Sequence, residues 1–269
     1  MTTLDYQLSD GVATLTMNRP DARNALSNAM KDDFARLVPQ IAADPAVRAV
    51  ILTGANGAFC AGGDLRGMAE VRAQMNIASW RERMLDVQPW LRQLVLLDKP
   101  LIAAVDGPAF GAGFSLALMA DFVVATPRAR FCLSFMRVGL GPDFASMYTL
   151  PRVVGVQRAK ELMLSAREVA ADEALRLGIA MELVPAEGLM DRARALAGSF
   201  VGASPMAVSL IKRDVGMSLA SDLHTLLTLE ADHQAMCFET PYQAEAVQRF
   251  LDKQPAMFNW PANPHKTKE

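Results

Sequence analysis

The chain has 269 residues, 51% hydrophobic and 21% charged, which allows one large core or two small ones. Its net charge of −2, with both signs interspersed, offers no basic stripe for nucleic acid or an anionic membrane. Cys60, Cys132 and Cys237 are widely spaced and form no CxxC pair, so neither a zinc site nor a disulfide framework is expected. A reducing cytoplasm suits them, and the opening MTTLDYQLSDG lacks the basic and apolar regions of a signal peptide.

In chain order, Leu4–Leu8 and Val12–Met17 flank Ser-Asp-Gly and read as a hairpin. Ser27 can cap a helix whose Met30, Phe34, Leu37, Val38 and Ile41 keep helical spacing, and Asp44-Pro45 stops it. Val47–Thr53 is a buried, β-branched strand that leads into GAFCAGGDL. Residues 65–97, charged and Met-rich, are expected to be largely helical. LIAAVDG is a second buried strand, followed by GPAFGAGFSLALMAD with a helix over Phe114–Met119, then strands in FVVAT and RFCLS. Beyond Pro151 helices dominate, with one short strand at Ala180–Val184, and the tail PANPHKTKE reads as disordered. Strands and helices alternate to about residue 135, which predicts an α/β core.

Two segments share one plan: buried strand, small-residue loop, helix start. Such a loop exposes backbone N–H groups at the positive end of a helix dipole, and two loops side by side can aim two N–H groups at one oxygen. The alternative is that the glycines serve only tight turns and close packing. Dinucleotide binding is disfavoured because Leu116 stands where GxGxxG needs its third glycine, and no GK[ST] marks a P-loop. His224, His233 and His265 show no metal-ligand spacing.

TMNRPDARNALS, GAFCAGGDL, VDGPAFGAGFSLALMAD and LPRVVG occur in order over nearly the whole chain. Together they resemble the enoyl-CoA hydratase/isomerase family, the crotonases. The resemblance implies a crotonase-like α/β core of repeated ββα units over residues 1–200 and a C-terminal helical trimerisation or lid region over 201–269. It further implies assembly as a homotrimer or dimer of trimers, an acyl-CoA thioester as substrate, and no cofactor beyond that CoA. By motif position, Gly63 and Ala112 would supply the oxyanion N–H groups. Arg19, Ala22 and Arg23 would meet CoA phosphates and pantetheine, and Ala61 and Asp64 would edge the adenine. Ala112 stands where many members carry Gly; its backbone N–H is still available, but Ala fits there only if φ stays negative.

Hydratases similar to this chain use two glutamates, at positions that here read Ser115 and Phe135, both retained as substrate-lining candidates. Neither moves a proton at neutral pH. Isomerase-type members carry an aspartate in a motif similar to GLGPD, which nominates Asp143 as acid/base. One carboxylate between two carbons can remove a proton from one and return it to the other. Asp143 can equally be a turn or N-cap residue, and Arg137 is a possible partner that would lower its pKa. Glu70, Glu82 and Asp86 are second candidates on a solvated helical segment. Three functions stay open: a double-bond isomerase, a hydratase with atypical acids, and a catalytically silent acyl-CoA binder.

Overall fold

The computed structural model describes residues 2–263. Strands β1 (Leu4–Ser9) and β2 (Val12–Met17) form the expected antiparallel hairpin, in register from Ser9 opposite Val12 to Leu4 opposite Met17. Helix α1 (Asn28–Ala43) begins where the Ser27 hydroxyl accepts the Met30 N–H at 3.2 Å, and it buries the predicted stripe from Met30 to Ile41. Strand β3 (Ala49–Gly54) is followed by α2 (Leu65–Val71) and α3 (Ile77–Val95), the latter opened by a reciprocal Asn76–Ser79 cap.

Next come β4 (Leu101–Val105), β5 (Pro108–Phe110), α4 (Ala112–Ala117), β6 (Phe122–Ala125) and β7 (Arg130–Cys132). The remainder is α5 (Ser146–Val154), α6 (Val156–Ser165), β8 (Val169–Ala170), α7 (Ala171–Arg176), β9 (Glu182–Leu183), α8 (Leu189–Ser199), α9 (Pro205–Met217), α10 (Leu223–Phe238) and α11 (Pro241–Leu251).

The main sheet has the order β1-β2-β3-β4-β6-β9 and is parallel after its first pair. A small second sheet, β5-β7-β8, stands beside it. Alternation along β3 divides the interior. Val50 and Leu52 face a core shared with Phe34, Trp90 and Phe114, whereas Ala49 and Ile51 face Leu189, Ala193 and Leu196 of α8. A parallel sheet covered on both faces explains why β3 and β4 read as unbroken apolar runs.

Three expectations change. β5 and β8 were not anticipated, because three- and two-residue strands carry too short a pattern to read. The sequence pattern predicts a helix over Leu219–Phe238, and it starts instead at Leu223, where Asp222 caps it. Residues 261–263 of the expected disordered tail are tied down; the rest of that tail lies outside the described residues. The buried Arg192 donates to the carbonyls of Pro261 and Ala262 at 3.1 and 3.0 Å and pairs with Glu182 at 2.5 Å. Asn263 donates to the same Glu182 at 2.6 Å. Among the described residues no single helix is long and apolar enough to cross a membrane.

Arg192→Met leaves the Glu182 carboxylate buried without its guanidinium. Urea unfolding is expected to show a loss of about 3–5 kcal/mol, mostly recovered in the double variant Arg192→Met/Glu182→Leu.

Candidate active site: two stacked loops and a half-buried aspartate

The loop after β3 and the loop after β4 are joined by backbone. Cys60 N–H donates to the Pro108 carbonyl at 3.0 Å, and Phe110 N–H returns a bond to the Cys60 carbonyl at 2.8 Å. This closeness depends on small residues. A Cβ on Gly113 would drive into the Cys60 carbonyl, and one on Gly62 would sit 2.7 Å from the Phe110 carbonyl oxygen. On its other side the first loop is held by Leu26, whose N–H donates to the Gly62 carbonyl at 2.8 Å and whose carbonyl accepts the Asp64 N–H at 3.3 Å.

These bonds use the neighbours of Gly63 and leave its own N–H without an acceptor among the described residues. The Ala112 N–H is in the same state, because Ala112 is the first residue of α4 and has no preceding turn to bond. Gly111, at φ 50°, makes the left-handed turn, so Ala112 keeps a helical φ and its methyl costs nothing. The condition on Ala112 is met.

The RPDARN segment braces the first loop. Arg19 donates to the Ala25 carbonyl at 2.6 Å and pairs with Asp64 at 3.0 Å. Ala22 donates to the Arg19 carbonyl, and Arg23 accepts the Ala61 N–H at 2.9 Å. Burial alone would raise the Asp64 pKa, but the Gly67 N–H and the Arg19 guanidinium hold it below the usual carboxylate range. Asn24 went unremarked in the sequence and proves central. It is fully buried at φ 58°; its side chain accepts the Arg19 N–H and donates to the carbonyls of Ala55 and Ala58. Asparagine suits a left-handed position that also needs both donors and an acceptor.

Asp143 lies on the far side of the second loop. Its backbone carbonyl accepts bonds from the Ser115 hydroxyl at 3.1 Å and from the Ser146 hydroxyl at 2.8 Å. Ser115 is thus a fully buried brace between α4 and the Asp143 turn, with its second hydroxyl contact to the Gly111 carbonyl at 3.3 Å. Phe144 and Ala145 follow at φ 52° and 60°, a strained pair for side-chain-bearing residues. Aromatic packing holds them: Phe144 meets Trp90 edge-on at 5.7 Å, and Trp90 stacks on Phe34 at 5.0 Å.

The Asp143 carboxyl caps no helix. Its Oδ1 is buried and has no hydrogen-bond partner. Burial pushes its pKa up to about 6, with Lys31 and its own backbone N–H pulling weakly the other way. The anticipated pairing with Arg137 is wrong. Arg137 turns away, donating to the Ala166 carbonyl at 3.0 and 2.7 Å and approaching Glu168. Phe135 is buried beside Gly111, while Glu70, Glu82 and Asp86 are exposed. Among the described residues no three His, Cys, Asp or Glu side chains converge as metal ligands.

Comparison with known proteins bears on the fold and the family. The family model described as enoyl-CoA hydratase/isomerase matches residues 7–261. The short-chain-enoyl-CoA hydratase of Clostridium acetobutylicum is 37% identical, over 90% of this chain and 92% of its own. The 1,2-epoxyphenylacetyl-CoA isomerase of Escherichia coli is 36% identical, over 92% and 95% respectively. A crystal structure of an enoyl-CoA hydratase/isomerase from Cupriavidus metallidurans superposes with a TM-score of 0.92 at 41% identity, covering 98% of each chain. With its crotonase fold and its acyl-CoA chemistry, this chain belongs to the enoyl-CoA hydratase/isomerase family.

Proposed function

We propose that this enzyme moves a carbon–carbon double bond along an acyl-CoA thioester, with Asp143 as its single acid/base. The observation that carries the reading is the carboxyl itself: on a half-buried residue, with its Oδ1 enclosed and unpaired and its pKa raised to about 6, and with buried Ser115 and Phe135 where a hydratase would need two acids. A base with a pKa slightly below the working pH is ionised yet still willing to hold a proton, as a shuttle requires.

In this reading the thioester carbonyl oxygen accepts the N–H groups of Gly63 and Ala112. The Asp143 carboxylate removes a proton from C2 of a 3-enoyl thioester. The released pair forms the C1–C2 double bond of a dienolate, whose negative oxygen the two N–H groups stabilise. The protonated Asp143 then gives its proton to C4, where the C3–C4 π pair forms the new C–H bond; the C1–C2 pair moves to C2–C3, the oxygen pair restores the carbonyl, and the 2-enoyl product forms with Asp143 again ionised. Arg19, Ala22, Arg23, Ala61 and Asp64 line the approach proposed for CoA, and the exposed apolar residues Ile211, Val215, Leu223 and Phe250 support assembly with further copies.

Proton NMR in heavy water, with 3-enoyl- and 2-enoyl-CoA run in parallel, tests the reaction. Migration of the double bond with deuterium at the allylic carbons is expected; rapid appearance of a 3-hydroxyacyl thioester would overturn the proposal in favour of hydration. Asp143→Asn is expected to lower turnover roughly 10²–10⁴-fold while leaving acyl-CoA binding intact.

The same substitution is expected to stabilise the fold. A carboxyl whose pKa rises from 3.8 to about 6 on folding binds protons more tightly when folded, so it favours the folded state at low pH and loses that favour as pH rises through about 6. The neutral-pH penalty is at most roughly 3 kcal/mol. Denaturant melts should therefore show Asp143→Asn about 1–2 kcal/mol more stable than the parent at pH 7.5, with the gap closing below pH 4. The parent's kcat/KM should fall tenfold per pH unit below about 6, as the base is protonated.

Ala112→Pro removes one N–H at a helix position that tolerates proline. Steady-state kinetics should show kcat reduced roughly 10²–10³-fold, with the circular dichroism spectrum retained.

A further inference from the structure

A cavity of about 260 Å³ opens beside the Gly63 loop, between the first turns of α1, the start of α2 and α3. Its polar wall includes Lys31, Arg83, Asp64 and Asn28, and Met68 closes it toward Gly63, standing 2.6 Å from where a Gly63 Cβ would be. The charges in this wall do not balance. Asp64 is already engaged by Arg19 at 3.0 Å and by the Gly67 N–H. Arg83 has only neutral partners, the Asn28 side-chain oxygen at 2.8 Å and the face of Trp80. Lys31 has no hydrogen bond or ion pair from its ammonium among the described residues, although it is half-buried and within electrostatic range of Asp143. Burial and the neighbouring Arg83 both weigh against its charge, and outweigh the opposing pull of Asp143, Asp32 and Asp64. Two partly desolvated cations on one small wall are unfavourable until an anion joins them.

We propose that Lys31 and Arg83 form a carboxylate-binding subsite, so that the preferred acyl group is one ending in a second carboxylate. The inference rests on the acyl-CoA reading above. The thioester end of such a group belongs at Gly63 and Ala112, and Met68 connects that point to the cavity. The remaining wall, Leu26 and Ala29 with Met68, is apolar and suits the methylene spacer. A phosphate of CoA carries the same kind of charge and is the competing source of the anion.

Titration calorimetry with short saturated ω-carboxyacyl-CoA thioesters and their methyl-ended counterparts tests the subsite without requiring turnover. The parent should bind the carboxylated series about ten- to a hundredfold more tightly, as expected for charge-assisted hydrogen bonds. Lys31→Met and Arg83→Met should each reduce the preference and together abolish it, whereas Arg83→Lys should retain part of it. The same preference should persist in pantetheine thioesters that lack the nucleotide. Equal binding of both series by the parent would overturn the proposal. So would a loss common to both series that disappears with pantetheine, since that assigns the cations to a CoA phosphate. If the carboxylate preference holds but the parent moves no double bond, the Asp143 reading fails and the subsite stands.

Discussion

The backbone pairing of Cys60 with Ala109 is the constraint on which the rest of the site depends. It forces two strand-to-helix loops to within main-chain contact, a distance only glycine permits at 62 and 113. Once the loops are stacked, their neighbouring amides are consumed by Leu26, Pro108 and Cys132, and the N–H groups of Gly63 and Ala112 remain. Both lie in adjacent loops that each lead into a helix, and neither finds an acceptor among the described residues. The parallel β3–β4 register, covered on both faces, supplies the rigid base that keeps the loops from drifting apart.

Asp143 shows the opposite economy. The neighbouring hydroxyls and aromatic rings hold its backbone, and only Lys31 and its own backbone N–H favour its charge, against the larger effect of burial. Ser115 and Ser146 hold its carbonyl, and the Phe34–Trp90–Phe144 stack holds two strained residues after it. Its carboxyl is left in a desolvated position that costs folding energy. Strain and desolvation persist only where the surrounding packing over-determines them, and that packing reaches from α1 through α3 to the turn. Ser115 therefore does more than fill the place of an acid. It fastens the turn of the remaining acid to the helix that carries Ala112.

What was legible in the sequence followed from period and punctuation. The α1 stripe, the apolar runs of β3 and β4, and the Ser27 cap each occupy enough residues to leave a pattern. The glycine loops were visible as a repeated plan, and Asp143 as the one acid next to a Gly-Pro turn. Three things were not legible. β5 and β8 are shorter than any periodicity, and exist because β7 offers them a ladder. Arg137 lies six residues from Asp143 along the chain, but the short helical turn over Ser134–Val138 aims it at Ala166 instead. Asn24 sits in a motif that reads as surface loop, and only its two long-range bonds to the Ala55 and Ala58 carbonyls reveal it as a buried joint.

Lys31 belongs to the same class of hidden residue, and its position bears on the chemistry as well as on specificity. On α1 it follows Met30, the first residue of the buried stripe, so pattern alone assigns it to the solvated side. The first turn of α1 is, however, roofed by α2 and α3, which turns an ordinary surface lysine into part of a cavity wall. Its charge then lowers the pKa of Asp143 against the larger effect of burial. An anion bound at Lys31 would cancel that charge and let the Asp143 pKa rise further, making it a stronger base at the moment the substrate is in place. Lys31 and Asp143 are thus coupled electrostatically, and under the proposed function recognition of the acyl group and tuning of the base would be one interaction.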